Sequence, residues 1–291
     1  GVPASESASA GTLYVVATPI GNLGDVTLRA LEVLRSVPLI AAEDTRISRR
    51  LLARYEIATR ATSFHAQSGP ARFAELLVHL RSGADLALVS DAGTPVVSDP
   101  GADLIAAWAA EGGPVVPIPG ASAVLAALVA SGIAGPRWGF EGFLPRAGRD
   151  RRARLSRLAA DDRATVIYEA PSRVGATLRD LAAACGPDRP AAVCRELTKL
   201  HEQVVRGSLA ELGVAMASGH IPARGEFAIV VAGLPSGSAR PIAMTDAAEA
   251  DRVEAARQRV ETLVSDGITR PEAARMVAAE TGLARRALYR R

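Results

Sequence analysis

Aromatic side chains make up only 4% of this 291-residue chain. The core therefore has to be built from Ala, Val, Leu and Ile, and a ladder of stacking rings for reading nucleic-acid bases is excluded. Lysine is scarcer still: Lys199 is the only one among 34 basic residues, the rest being Arg. The two cysteines, Cys185 and Cys194, form neither a metal-ligand spacing nor a disulfide framework, which points to a reducing, cytoplasmic setting and to no bound metal. The longest apolar stretches are broken by Pro, Gly or charge and are too short to cross a bilayer, so no membrane partner is expected. Gly1 to Ala10 is small and polar, without a basic start or an apolar h-region, and reads as a disordered leader.

What is present is a globular composition, 48% hydrophobic with a net charge of +3. The length suggests two domains at roughly 150 residues each. Strand and helix signals alternate from the start, the pattern of a mainly parallel sheet with helices on its faces. Strands are predicted near Thr12–Ala17, Leu39–Ala42, Thr62–His65, Leu86–Val89 and Val115–Ile118, with helices between them. The Gly/Pro-rich stretch Gly132–Gly139 reads as a linker. A second set of strands follows near Trp138–Leu144, Ala164–Glu169, Ala191–Glu196, Val204–Ser208 and Glu226–Ala232. The fold class is thus α/β, with an N-terminal α/β domain at 11–132 and a second at 133–236. A linker and helical tail occupy 237–291, with helices over Thr245–Ser265 and Thr269–Tyr289.

The densest signal is Leu86-Ala-Leu-Val-Ser-Asp-Ala-Gly-Thr-Pro-Val-Val-Ser-Asp-Pro-Gly101, where a buried apolar run ends in two clusters of turn residues. Small side chains there let a ligand approach the backbone, and the prolines stiffen the loop. Two more such loops, Thr18–Asp25 and Pro119–Ala123, also follow strands. In a parallel sheet all three lie at one edge and outline a crevice. None of them matches G-x-G-x-x-G or G-x-x-x-x-G-K-[ST], so ordinary dinucleotide and P-loop sites are not indicated.

Together with Ala42-Glu-Asp-Thr-Arg46, Phe140-Glu-Gly-Phe-Leu-Pro145 and Tyr168-Glu-Ala-Pro-Ser-Arg173, these loops resemble the tetrapyrrole-methylase-like, class III S-adenosylmethionine-dependent methyltransferases. Within that family the likeness is to members that modify ribosomal RNA, and it spans about residues 11 to 291. The resemblance implies two α/β domains with S-adenosylmethionine in the cleft between them. It also implies methylation of a cytidine ribose 2′-hydroxyl in the decoding region of 16S ribosomal RNA of the small ribosomal subunit, by a homodimer. Carried onto this sequence, the cofactor residues would be Asp91, Ala92, Gly93, Thr94 and Val97, then Gly120, Ser122 and Ala123, and from the second domain Tyr168, Leu197, Phe227 and Ala228.

A ribose hydroxyl is a poor nucleophile while protonated, so a carboxylate or imidazole at the crevice would serve as general base. Glu43, Asp44 and His65, each just past a strand, are the candidates. Asp44 competes with this role as a helix cap, and His65 as a structural side chain. Pro19, Asn22 and Arg46 are placed to meet the acceptor RNA. Arg146, Arg149, Arg151 and Arg152 belong to a run of six arginines against one acid between Arg146 and Arg157, suited to RNA phosphates. The tail has a Thr269/Glu272 capping box and a Gly turn, the shape of a helix-turn-helix, and a basic end at Arg285, Arg286, Arg290 and Arg291. Two other readings stay open: a methyltransferase for a tetrapyrrole or other small acceptor, and a non-enzymatic nucleic-acid-binding regulator.

Overall fold

The computed structural model describes residues 10–96, 101–133, 135–234, 246–265, 267–281 and 288. The first sheet joins β1 (Leu13–Val16), β2 (Leu39–Ala42), β3 (Ala61–Ser63), β4 (Leu86–Val89) and β5 (Val115–Ile118) in the order β3-β2-β4-β1-β5, all parallel. Side chains alternate across it with period two. Val16, Ile40, Ala42, Ala87 and Val89 pack on one face against α1 (Leu28–Ser36) and α2 (Thr45–Arg54). Leu13, Val15, Ala41, Leu86 and Leu88 pack on the other against α3 (Pro70–Arg81) and α4 (Ala102–Ala110), around the buried Trp108. Helix starts are fixed locally, Thr27 accepting a hydrogen bond from the amide of Ala30 and Asp44 from that of Arg46.

The second sheet departs from the expected parallel arrangement. Its strands are β6 (Trp138–Phe143), β7 (Ala164–Glu169), β8 (Pro190–Arg195), β9 (Gln203–Ser208) and β10 (Phe227–Val231), ordered β6-β7-β10-β8-β9. Only β6 and β7 are parallel; β10 runs antiparallel to both β7 and β8, and β9 antiparallel to β8. The connection from Arg195 to Gln203 contains no helix, and a link that short reverses the chain rather than crossing over.

One face of this sheet is covered by α6 (Gly148–Ala160), α7 (Val174–Cys185) and α8 (Leu209–Ala217), through Leu155, Leu178 and Leu212 against Ile167, Val193 and Ile229. The other face is covered by α5 (Ala123–Ser131), which follows the last strand of the first sheet. Its Val124, Ala127 and Leu128 pack on Val166, Cys194, Ala228 and Val230. Arg206 of β9 donates to the carbonyls of Ala130 and Ser131, holding the end of α5 in place. Both sheets belong to one compact unit, residues 1–235.

A second unit, 236–291, contains α9 (Asp246–Ser265) and α10 (Arg270–Thr281). They share a small core of Ala256, Val260, Ala273, Ala274, Val277 and Leu288. The predicted Thr269–Tyr289 helix is described as far as Thr281; Arg285, Arg286, Arg290 and Arg291 lie outside the described residues, as do Gly1 to Ser9.

Candidate active site

The three Gly/Pro loops of the first sheet meet at the carboxyl ends of β1, β4 and β5. Thr18 and Gly93 exchange backbone hydrogen bonds of 2.9 and 3.0 Å, and the Thr18 hydroxyl donates to Ser90 O at 3.2 Å. Gly93 has φ +77°, and a Cβ there would lie 3.3 Å from Ile20 and 3.5 Å from Ala121 O. Any side chain would be strained and would fill the crevice. The loops form one wall of a cleft of about 470 Å³, and the strand ends of the second sheet form the other. That size suits a single small ligand.

Ten of the residues expected to meet a cofactor line this cleft: Asp91, Ala92, Gly93, Thr94, Ser122, Ala123, Tyr168, Leu197, Phe227 and Ala228. Gly120 does not; it packs beneath, where a Cβ would come within 3.0 Å of that of Ala17. Val97 lies outside the described residues. The lining also includes Ile20, Phe143, Glu169, Ala170, Pro171, Cys194, Gly225 and Glu226, which the sequence reading missed. Glu169 to Pro171 stand within the Tyr168–Arg173 motif, so that motif could have pointed to them. Cys194 reads only as core, and it is both core and lining. Its buried thiol is pushed up to about 11 by desolvation.

Of the three candidate bases only Glu43 lines the cleft. Its carboxylate accepts the amide of Asp91 at 3.2 Å, while the Asp91 carboxylate accepts the amide of Asp44 at 2.9 Å. This reciprocal brace ties the ends of β2 and β4 and sets two acids side by side. Burial raises the pKa of Glu43, and the charges of Asp91 and Asp44 add to the shift; Asp91 is raised too, again mainly by burial. Asp44 goes the opposite way, held to about 2 by hydrogen bonds from Arg46. It caps α2 and pairs with Arg46 at 2.6 Å, so it is a fixed anion rather than a proton acceptor. His65 is exposed, outside the cleft lining, and its Nδ1 accepts the amide of Gln67 at 3.1 Å.

The arginine run divides. Arg146, Arg149 and Arg152 are exposed, as expected of RNA contacts. Arg151 is a correction. The residue is 7% exposed, and its guanidinium donates to Asp180 at 2.8 Å, to Pro145 O at 2.9 Å and to the Thr177 hydroxyl at 3.0 Å. Thr177 in turn donates to the buried Glu169 at 2.6 Å. With its donors committed to the interior, Arg151 braces α6 on α7 and is not available to phosphate. Pro19 is a second correction, since it is buried in the turn. Asn22 is exposed, with its side-chain oxygen on the amide of Gly24.

Across the cleft, the turn after β8 meets the loop after β1. Asn22 N donates to the Thr198 hydroxyl at 3.2 Å, and Gly21 lies against the Lys199 stem. Glu196 and Thr198 are left-handed, with φ +52° and +67°, on either side of the cleft-lining Leu197. Lys199 bridges Glu196 and Glu226, each at 2.8 Å. Such backbone strain persists only where the surroundings over-determine it, commonly at ligand clamps. Among the described residues no cluster of three or more His, Cys, Asp or Glu side chains could hold a metal ion. None of their helices is long and apolar enough to cross a membrane.

A parallel sheet and a mixed sheet sharing one cleft at their strand ends define a two-sheet α/β enzyme with a preformed small-molecule site. Residues 12–213 match the family model of tetrapyrrole (corrin/porphyrin) methylases, and the chain belongs to that family. It is 47% identical to the ribosomal RNA small subunit methyltransferase I of Synechocystis, over 96% of both chains. The protein of the same name from Bacillus subtilis is 40% identical, over 96% of this chain and 93% of that one. Among solved structures the fold resembles cobalt precorrin-4 methyltransferase, with a TM-score of 0.59 at 19% identity over 76% of this chain and 94% of that one. It also resembles uroporphyrin-III C-methyltransferase of Thermus thermophilus complexed with S-adenosyl homocysteine, with a TM-score of 0.56 at 19% identity over 76% and 97%.

Proposed function

We infer that this protein is an S-adenosylmethionine-dependent methyltransferase acting on ribosomal RNA of the small subunit, and that its acceptor is a cytidine ribose 2′-hydroxyl of the decoding region. The observation that carries the reading is the cleft itself, a crevice walled on one side by backbone and on the other by side chains, with Glu43 in its lining beside Asp91. The residues suit the cofactor. Gly93 leaves the space a side chain would fill, Asp91, Thr94 and Ser122 offer polar contacts, and Ile20, Leu197, Phe227 and Ala228 enclose apolar parts.

The cofactor supplies an activated methyl group and leaves as a neutral thioether. The protein has to hold the acceptor oxygen in line and take its proton. Glu43 receives that proton as the oxygen–carbon bond forms, its pKa raised toward that of a useful base and its orientation fixed by the Asp91 amide. Asp44 holds Arg46, whose side chain is 85% exposed, where its guanidinium would meet a substrate phosphate. Arg146, Arg149 and Arg152 supply further phosphate contacts from the loop after β6 and from α6. Exposed Leu125 and Val129 on α5 offer an apolar face for a second copy, which sedimentation analysis of the oligomeric state tests. A ribosomal substrate places the enzyme in the cytoplasm.

The test is transfer of labelled methyl to small ribosomal subunits that lack the modification. Wild type should label a cytidine ribose, and Glu43→Gln should not at comparable rate while still binding S-adenosylhomocysteine. Labelling of a base, or equal turnover by the variant, overturns the assignment.

A further inference from the structure

A second arginine-rich helix leaves the same cleft. α2 starts two residues after the cleft-lining Glu43, just as α6 starts shortly after the cleft-lining Phe143. Its sequence Thr45-Arg-Ile-Ser-Arg-Arg-Leu-Leu-Ala-Arg54 contains no acid. Ser48, Leu51 and Leu52 turn inward, and Arg49, Arg50 and Arg54 stand exposed on the other side. Arg46, Arg50 and Arg54 follow at intervals of four and so form one ridge about 12 Å long.

Several surface arginines are already paired. Arg72, Arg81, Arg137 and Arg163 are each tied to a carboxylate within 2.8 Å. Among the described residues, Arg49, Arg50 and Arg54 have no such partner, and Arg54 rests only over the Tyr55 ring at 5.5 Å. A composition biased toward Arg would scatter cations among acids. It does not by itself produce an acid-free helix aimed at the cleft. The cross-cleft contact of Gly21 with Lys199 closes the flank where β1 and β8 end. Glu43 directly follows β2 and Phe143 ends β6, strands on the other flank of their sheets.

We propose that the outer face of α2, carried by Arg49, Arg50 and Arg54, is a phosphate-binding surface for the substrate RNA, additional to that of α6. The proposal rests on RNA being the methyl acceptor. It assigns to α2 the strand on one side of the modified nucleotide and leaves the strand on the other side to α6. Arg suits this use because its planar fork meets phosphate bidentately and stays charged.

The experiment compares wild type with Arg49→Glu/Arg50→Glu, using unmodified small ribosomal subunits as acceptor over a series of salt concentrations. The expected result is a KM for subunits raised at least about tenfold, with kcat at saturation and calorimetric S-adenosylhomocysteine affinity retained. The slope of log(kcat/KM) against log[salt] should become shallower by about 1.4, about 0.7 for each single-strand phosphate that is no longer neutralised. The milder Arg49→Gln/Arg50→Gln pair, checked by circular dichroism, covers misfolding of the charge reversal. An unchanged KM overturns the proposal, and a raised KM with an unchanged salt slope overturns it in favour of a protein contact on the ribosome. Failure of wild type to methylate subunits at all would instead sink the RNA reading.

Discussion

The two walls of the cleft are made in different ways. The parallel sheet contributes loops, where Gly93, Ala92, Thr94 and Ser122 present backbone and small side chains to the ligand. The mixed sheet contributes bulk: Tyr168, Leu197 and Phe227 project from strand ends, with Tyr168 set edge-on to Phe140 and Phe143. A backbone wall tolerates little added bulk, because a side chain at Gly93 would be strained, press on Ile20 and take up ligand space. A side-chain wall can lose atoms and fail by degrees.

That contrast is sharpest at Gly93. Gly93→Val places a branched side chain at φ +77° and against Ile20, and calorimetry should find S-adenosylhomocysteine binding weakened by more than about 100-fold. Binding within tenfold of wild type would show that the loop yields. Next in size is Glu43→Gln, for which kcat should fall about 10² to 10³-fold with cofactor affinity kept. Because burial raises the Glu43 pKa, activity should fall as pH drops through a value above 4.5, the ordinary one for the group, since the ionised form is the base. The variant should lack that limb of the pH profile. On the other wall, Phe227→Ala should weaken cofactor binding by only about 10 to 30-fold, a loss of about 2 kcal/mol of apolar burial. A total loss there would erase the distinction between the walls.

Smaller again is Arg151→Leu, which should lower thermal stability by about 2 kcal/mol, or about 5 °C, by removing the guanidinium's bonds to Asp180, Pro145 O and Thr177. The figure is kept low because Asp180 is half exposed. Subunit KM should move less than for Arg149→Glu; a larger change would return Arg151 to the RNA surface. Least of all, Cys194 should resist thiol reagents at pH 8 in the folded protein, its pKa of about 11 keeping it neutral.

The same contrast decides what could be read from the chain. The loops of the first sheet were legible because Gly, Pro, Asp and Ser cluster where a strand stops, and the turn chemistry is local. The strands of the second sheet were legible too, but their pairing was not, because direction depends on where β10 inserts, and nothing in Phe227–Val231 records its neighbours. α5 is apolar almost all round, so its attachment to the second sheet leaves no mark in its own sequence. Arg151 looked like its neighbours because its distinguishing partners, Thr177 and Asp180, lie on another helix. Glu43 and Asp44 are adjacent acids, separated only when one faces the cleft and the other caps a helix.

The Lys199 bridge also makes the chain a convenient object for side-chain amine chemistry. A reagent selective for lysine ε-amines has a single target in 291 residues, and that target stands at the cleft rim with two carboxylates on its nitrogen. Burial alone would lower its pKa, but the two carboxylates together outweigh that and keep it protonated, so acylation at neutral pH should be slow while the turn is closed. The rate of labelling then becomes a clock for opening of the Glu196–Lys199 turn, with no dye or engineered residue required.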